Sequence, residues 1–229
     1  MIISSFNIQN DYKCYKAEKS KVIYSYLKDN KIDVLGLQEV FSKCDKDLDK
    51  ICTNYNKRGN YRFISRLILR RINEKNPIIT KHNIISYKTY HLPFFPSFTK
   101  RVLTNIVIEY KGMEISIYNT HLEVDKDKVK IKQLDRILSI LKNDKRPKIL
   151  MGDFNLKNNN DIFNKFSSDL NDMGINRVEF NHKTFKESKY SREIDHIFYS
   201  DDFKIKNKKV ITDLEISDHY PIIVELEKN

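Results

Sequence analysis

Asp153 and Asn155 stand two residues apart, just after the apolar run Ile149-Leu150-Met151 and Gly152. The apolar run reads as a buried strand, and Gly152 permits a turn that a side chain would obstruct. In extended chain, alternate positions point the same way, so both side-chain oxygens are offered together to a water molecule or a phosphate oxygen. The same two residues are also ordinary turn formers. More residues of this kind recur elsewhere: Asn7, Glu39, His121 after Asn119-Thr120, Asp195 in Glu193-Ile194-Asp195-His196, and Asp218-His219 after Ser217. Carboxylates, amides and imidazoles are the groups that hold a hard cation and manage a charged phosphate. Each has a structural alternative: a turn residue at Asn7, a cap at Asp218, satisfied part-buried histidines at His121 and His219. Their common placement at strand termini favours one site.

The elements that must carry these residues follow from hydrophobic spacing. Strands are expected over 2–7, 33–37, 61–69, 78–87, 102–109, 113–119, 194–199, 204–211 and 220–226, besides the run before Gly152. Val102, Thr104, Ile106 and Ile108 alternate, and Lys111-Gly112 reads as a hairpin turn. Helical spacing predicts helices over 16–30, 43–55, 126–141 and 161–170. Two prolines in His91-Leu92-Pro93-Phe94-Phe95-Pro96-Ser97-Phe98 exclude regular structure there. With no repeat, linker or shift in composition, residues 1–229 read as a single α/β domain, with two packed mixed sheets covered by helices.

Bulk composition narrows the function. At 229 residues with 40% hydrophobic residues, the chain can bury a sizeable core. The formal charge of +11 points to a polyanionic partner, either nucleic acid or an acidic membrane surface. A chain this rich in Lys, Asn and Ile also gains positive charge from an AT-rich coding bias. Cys14, Cys44 and Cys52 form no Cys-x-x-Cys pair and are odd in number, so a disulfide framework is not expected and a reducing, cytoplasmic setting is. No apolar run reaches the roughly 18–20 residues of a membrane span, and because Met1 leads straight into an expected strand, no signal peptide is expected.

Taken in order, Phe6-Asn7, Leu37-Gln38-Glu39-Val40, Asn119-Thr120-His121-Leu122, Gly152-Asp153-Phe154-Asn155, Ile194-Asp195-His196 and Ser217-Asp218-His219 resemble the endonuclease/exonuclease/phosphatase (DNase I-like) superfamily, across almost the whole chain. The resemblance implies a four-layer α/β sandwich of two mixed sheets flanked by helices. It also implies metal-assisted phosphoester hydrolysis with Mg²⁺, or Mn²⁺, as cofactor. Glu39 resembles the principal metal ligand, with Asn7 and Asp218 completing the metal region. Asp153 resembles the residue that orients or deprotonates the attacking water, and Asn155 one that hydrogen-bonds a phosphate oxygen. His219, paired with Asp195, and His121 resemble the phosphate-contacting or proton-handling histidines. The identity of the general base stays open between Asp153 and the Asp195–His219 dyad. The segment Asn76-Pro77-Ile78-Ile79-Thr80 departs from the family's usual central loop.

Substrate class rests on less. Absent Trp and the presence of His121 argue against abasic-site endonucleases, and Lys157 as the only nearby basic residue argues against inositol phosphatases. The Pro93-Phe94-Phe95-Pro96 stretch with Lys100-Arg101 is similar to the 5′-tyrosyl-DNA phosphodiesterase and neutral sphingomyelinase branches. Phe94, Phe95, Phe98, Arg101 and Lys157 are therefore the candidate substrate-binding residues. Exposed rings there would stack on unpaired bases or enter a membrane interface; packed rings would do neither. Arg101 reads either as a site residue or as a solvated edge charge. The expectation is a monomeric nuclease or DNA-end-processing phosphodiesterase acting on nucleic acid. The alternatives are a lipid phosphodiesterase at an anionic lipid surface, a small-molecule phosphatase, or an inactive basic binding module.

Overall fold

A computed structural model describes residues 1–9, 18–59, 74–97, 99–186 and 192–229 of the chain. In chain order its elements are β1 (Ile2–Asn7), α1 (Glu18–Asp29), β2 (Val34–Gln38), β3 (Val40–Phe41), α2 (Ser42–Ile51), β4 (Asn56–Arg58), β5 (Glu74–Lys75), β6 (Ile78–Thr80), β7 (Ile84–His91), β8 (Val102–Tyr110), β9 (Met113–His121), α3 (Asp127–Asn143), β10 (Lys148–Asp153), α4 (Asp161–Asn171), β11 (Ile175–Arg177), β12 (Asp195–Ser200), β13 (Phe203–Val210) and β14 (Ile222–Lys228). The strands form two six-stranded sheets, β13-β14-β1-β2-β6-β4 and β11-β12-β10-β9-β8-β7, with β3-β5 as a small ribbon.

Period-two alternation builds the layers. Along β10, Ile149 and Met151 face the other sheet, joining Ile3, Val34, Ile117 and Val224 in the inter-sheet core. Leu150 faces outward with Tyr118 and Phe198, where Leu134, Ile137 and Leu141 of α3 and Phe163, Phe166 and Leu170 of α4 cover them. On the first sheet, Phe6, Leu35, Leu37 and Ile223 turn outward to meet Ile23 and Leu27 of α1 and Leu48 of α2. A strand buried on both faces needs apolar residues at nearly every position, as β2 and β10 have. The result is the four-layer sandwich of two mixed sheets flanked by helices that the sequence implies. Asn160 caps α4 by accepting from the N–H groups of Ile162 (2.9 Å) and Phe163 (3.4 Å), a cap whose loss costs about 1 kcal/mol.

Several expected boundaries move. The run at 78–87 is two strands: β6 lies in the first sheet, β7 in the second, and the chain crosses between them at 81–83. The hydroxyl of Thr80 accepts from His82 N (3.1 Å) and turns the backbone there, so a continuous apolar-looking run is cut by a local hydrogen bond. The helix expected to reach residue 55 stops at Ile51, where Cys52 N closes the last turn on Leu48 O. The strand expected over 61–69 and the thiol of Cys14 lie outside the described residues. Cys44 and Cys52 are buried free thiols, with burial pushing both up to about 11.

Candidate active site

Parallel pairing places polar residues in pairs. β1 and β2 run parallel with Asn7 level with Gln38, and β9 and β10 run parallel with His121 level with Asp153. The carboxyl ends of all four strands therefore open on the same end of the sandwich. β12 runs antiparallel to β10, so its first residue, Asp195, is level with Asp153. The loop before β14 brings in the remaining residues: the Ser217 hydroxyl donates to Asn7 O (2.7 Å) and accepts from His219 N (3.1 Å).

The backbone at this end is bent to suit. Gly152 has φ +150°, and a Cβ there would lie 2.0 Å from Thr120 O. Glu39 (φ 58°) and Asn155 (φ 50°) sit in the left-handed region, a conformation that costs such residues about 1–3 kcal/mol and persists only where the surroundings enforce it. For Asn155 they do. Its N–H donates to Asp153 Oδ1 (2.9 Å), its Nδ2 to Leu122 O (3.1 Å), and its carbonyl accepts from buried Lys130 (3.3 Å).

The side chains converge on Asp153. Asn7 Nδ2 bridges two carboxylates, donating to Asp153 Oδ2 (2.9 Å) and Glu39 Oε1 (3.1 Å), while its Oδ1 accepts from Gln9 N (3.0 Å). Two imidazoles flank the same Asp153 oxygen, His121 Nε2 at 3.6 Å and His219 Nε2 at 3.7 Å. His219 Nδ1 donates to Asp195 Oδ2 (2.8 Å), and Asp218 Oδ1 lies 3.9 Å from its Nε2. The Phe185 ring packs against His219 at 5.0 Å between centroids. His121 Nε2 reaches to 4.0 Å of Glu39 Oε1.

Charge follows from these contacts. Burial opposes ionisation of Asp153. Its pKa is nonetheless lowered, by the positive ends that His121 and His219 present and by hydrogen bonds from Asn7 and the Asn155 N–H. Burial also disfavours an imidazolium at His219, but the Asp195 carboxylate, then Asp153 and Asp218, overcome it and raise the pKa well above the usual histidine range. Burial raises Asp195, against the opposing pull of His219. His219 is thus held as a cation on a buried carboxylate.

The donor set fits a hard divalent cation. Glu39 and Asp153 offer carboxylate oxygens on either side of one amide, and the Glu39 side chain is still 29% exposed. Mg²⁺ favours this chemistry, with few protein oxygens and retained waters. Asp153, Asp195 and His219 also lie within 4.8 Å of one another. Asp195 Oδ2 and the Nδ1 of His219 are spent on each other, however, and both residues are buried, which leaves Glu39 as the more exposed carboxylate.

The remaining candidates lie around this centre. Arg101 is 6% exposed, so it is not a solvated edge charge, and its Nη1 is 2.8 Å from His121 Nδ1. The loop from Leu92 to Arg101 is braced. Leu92 N meets Arg101 O (3.0 Å), Gln133 holds Pro93 O (2.9 Å), and Lys126 holds Pro96 O (2.5 Å). On that frame Phe95 is 79% exposed and Phe94 38%, with Lys100 Nζ 5.3 Å from the Phe94 centroid. Phe98 lies outside the described residues. Lys157 is half-buried in the turn before α4, its carbonyl accepting from Asn160 N.

Three residues without an assigned role in the sequence support the site. Gln38 Nε2 donates to Asn119 Oδ1 (2.7 Å), and Asn119 Nδ2 to Leu37 O (2.8 Å), which ties the two sheets together behind Glu39. Thr184 Oγ1 accepts from the N–H groups of Ile194 and Asp195 (both 3.1 Å), fixing the start of β12. Gln38 and Asn119 stood inside the quoted motifs as buried polar residues that must find partners; Thr184 carried no signal.

A family model described as Endonuclease/Exonuclease/phosphatase family matches residues 4–219. No curated protein matches the sequence. Solved structures with the same fold include an endonuclease/exonuclease/phosphatase from Bacteroides vulgatus, at TM-score 0.84 and 19% identity over 100% of this chain and 98% of that one. Another is the mannosyl-6-phosphatase of Bacteroides thetaiotaomicron, at TM-score 0.81 and 20% identity over 99% of each chain. A third is the human Nocturnin catalytic domain with bound sulfate, at TM-score 0.77 and 18% identity over 100% of this chain and 94% of that one.

Proposed function

The chain belongs to the endonuclease/exonuclease/phosphatase family, and from that premise we propose that it is a divalent-metal-dependent phosphodiesterase acting on nucleic acid. The observation that carries the reading is the arrangement around Asp153. An outward carboxylate, Glu39, stands on one side, and hydrogen-bond donors for a phosphate, His121 and His219, stand on the other, all within 4.0 Å of Asp153 or of each other. Mg²⁺ or Mn²⁺ would be held at Glu39, with Asp218 completing the metal region as the resemblance implies, and would supply neutralisation of the phosphate and of the leaving oxygen.

The chain's own residues do the rest. Asp153, kept ionised, accepts a hydrogen bond from the attacking water and aims it. His219 is a cation on Asp195, so it donates to a non-bridging phosphate oxygen and is a poor base. That favours Asp153 over the Asp195–His219 dyad as the group that takes the water's proton. Asn155, fixed by three hydrogen bonds, stabilises the charge that builds on the pentacovalent phosphorus. The exposed ring of Phe95, in a loop where Lys100 lies over Phe94 and Lys126 holds the Pro96 carbonyl, offers a stacking face to an unpaired base, and the +11 charge adds phosphate attraction.

The test is hydrolysis by the purified protein of a panel: single-stranded and duplex oligonucleotides, a 5′-phosphotyrosyl oligonucleotide, sphingomyelin, inositol phosphates and mannose 6-phosphate, each with Mg²⁺ or Mn²⁺. Oligonucleotide cleavage that EDTA abolishes and that falls steeply with salt is expected. Hydrolysis confined to lipid or to phosphomonoesters would overturn the nucleic-acid reading, and activity surviving EDTA would overturn the metal.

A further inference from the structure

His121 and His219 flank one oxygen of Asp153 at nearly equal distances, but their far nitrogens meet opposite partners. Behind His219 is a carboxylate, Asp195, at 2.8 Å; behind His121 is a guanidinium, Arg101, also at 2.8 Å. We propose that Arg101 is a positioning residue that keeps the ring hydrogen of His121 on Nε2, making His121 a hydrogen-bond donor to the substrate phosphate instead of the acid that protonates the leaving group. The proposal rests on the phosphoesterase reading of the site.

The chemistry is one of donors and acceptors. A guanidinium carries only N–H donors and has no acceptor. At 2.8 Å from His121 Nδ1, Arg101 Nη1 requires that nitrogen to accept. The ring's hydrogen is then on Nε2, the nitrogen that faces Asp153 Oδ2 at 3.6 Å and Glu39 Oε1 at 4.0 Å. His219 is the reverse case, since its Nδ1 donates to Asp195. A ring backed by a carboxylate presents a donor on its far nitrogen; a ring backed by a guanidinium presents an acceptor there and directs its hydrogen forward.

The frame supports a fixed role. Arg101 is 6% exposed and His121 2%. Arg101 lies immediately before β8, which pairs with β9, the strand that ends in His121. Its carbonyl closes the loop on Leu92 N at 3.0 Å. The same loop carries Phe94 and Phe95, so Arg101 joins the exposed aromatic face to the phosphate site through the backbone.

The test is long-range ¹H–¹⁵N correlation NMR on metal-free protein labelled with ¹⁵N-histidine, in which the six histidines are few enough to resolve and H121Q identifies the His121 signals. The wild type and R101K are expected to show His121 with its hydrogen on Nε2, because a lysine also only donates. R101M should leave the hydrogen on Nε2, where Asp153 and Glu39 draw it, but shift the His121 ¹⁵Nδ1 resonance as that nitrogen loses its donor, and lower kcat by roughly 10–100-fold with KM within about 3-fold. R101M should add nothing further in an H121Q background.

A wild-type His121 with its hydrogen on Nδ1 overturns the proposal without need of any variant. So does an R101M protein whose His121 ¹⁵Nδ1 resonance is unchanged, or one in which KM rises at constant kcat, since the guanidinium would then hold substrate directly. A purely structural Arg101 would lower the melting temperature of R101M and leave the Nδ1 resonance and kcat in place. The correct tautomer in a wild type that hydrolyses no phosphoester would refute the reading of the site and spare the Arg101–His121 arrangement. The wrong tautomer in an active enzyme would refute this inference alone.

Discussion

Replacing Gly152 by alanine tests whether the strand end itself sets the chemistry. A Cβ at Gly152 would sit 2.0 Å from Thr120 O, so β9 and β10 must part by about 1 Å before even a 3.0 Å contact is reached. The next residue is Asp153, held to Asn7 at 2.9 Å and flanked by both imidazoles. A shift of about 1 Å at a reacting group costs roughly 100-fold in rate, or about 2.7 kcal/mol of barrier. Added to that is the stability lost by forcing β9 from β10 at φ +150°, about 2–4 kcal/mol. The assay is cleavage of bis(p-nitrophenyl) phosphate with Mg²⁺, read beside thermal melting. Gly112→Ala is the matched control: it also has positive φ, +76°, but nothing lies within 4 Å of the added carbon. It should cost about 1–2 kcal/mol of stability and no activity. Full activity in G152A, or equal activity losses in both variants, would refute the claim that the close approach to Thr120 positions Asp153.

Glu39→Gln should abolish hydrolysis and also remove the rise in melting temperature that Mg²⁺ gives the wild type; a Mg²⁺ shift that persists would move the metal elsewhere. His219 has a folded pKa raised to about 10 against about 6.5 unfolded. Its contribution to stability is therefore complete below the unfolded value and lost as pH rises through the folded one. Urea unfolding of metal-free wild type should weaken between pH 7 and 10 more than that of His219→Gln; parallel pH curves would show that the ion pair with Asp195 is not formed. Phe95→Ala should leave the melting temperature within about 1 °C, because the ring is 79% exposed. It should cost roughly 5–100-fold in KM for a single-stranded oligonucleotide, the worth of one stacked base. Equal losses on bis(p-nitrophenyl) phosphate would argue against a stacking role.

Most of the sandwich was legible because burial on two faces leaves a mark on the sequence. β10 reads as Ile149-Leu150-Met151 whichever neighbour it pairs with, and α4 repeats Phe163, Phe166 and Leu170 at helical spacing. The gathering of the candidate residues was legible for a related reason: strands that run parallel end together, so polar residues at their carboxyl ends meet without any signal in sequence separation. What was not legible depended on cross-chain events. The cut between β6 and β7 turns on one Thr80 hydroxyl. Thr184 supports Asp195 from a stretch with no apolar pattern, and its role exists only once β12 lies level with β10.

Arg101 is the instructive case, because its place was within reach of the sequence. A hairpin closed at Lys111-Gly112 sets Tyr110 opposite Met113. Counting back along both strands, with no bulge between them, puts Leu103 opposite Thr120, Val102 level with His121, and Arg101 beside it. Register alone thus places a guanidinium next to an imidazole, where Arg101 taken singly reads either as a site residue or as an edge charge. What register does not give is which nitrogen the guanidinium meets. That depends on the ring's rotamer, set by packing at the end of β9 and by Glu39 and Asp153 on the ring's other side. The same limit holds for Asn7, whose position at the end of β1 was clear from the strand pattern. That its amide nitrogen bridges Asp153 and Glu39 while its oxygen takes Gln9 N–H follows only from the packed structure. Strand register decides which residues share the site; the direction of each hydrogen bond, and so each residue's chemistry, is decided by the side chains packed behind it.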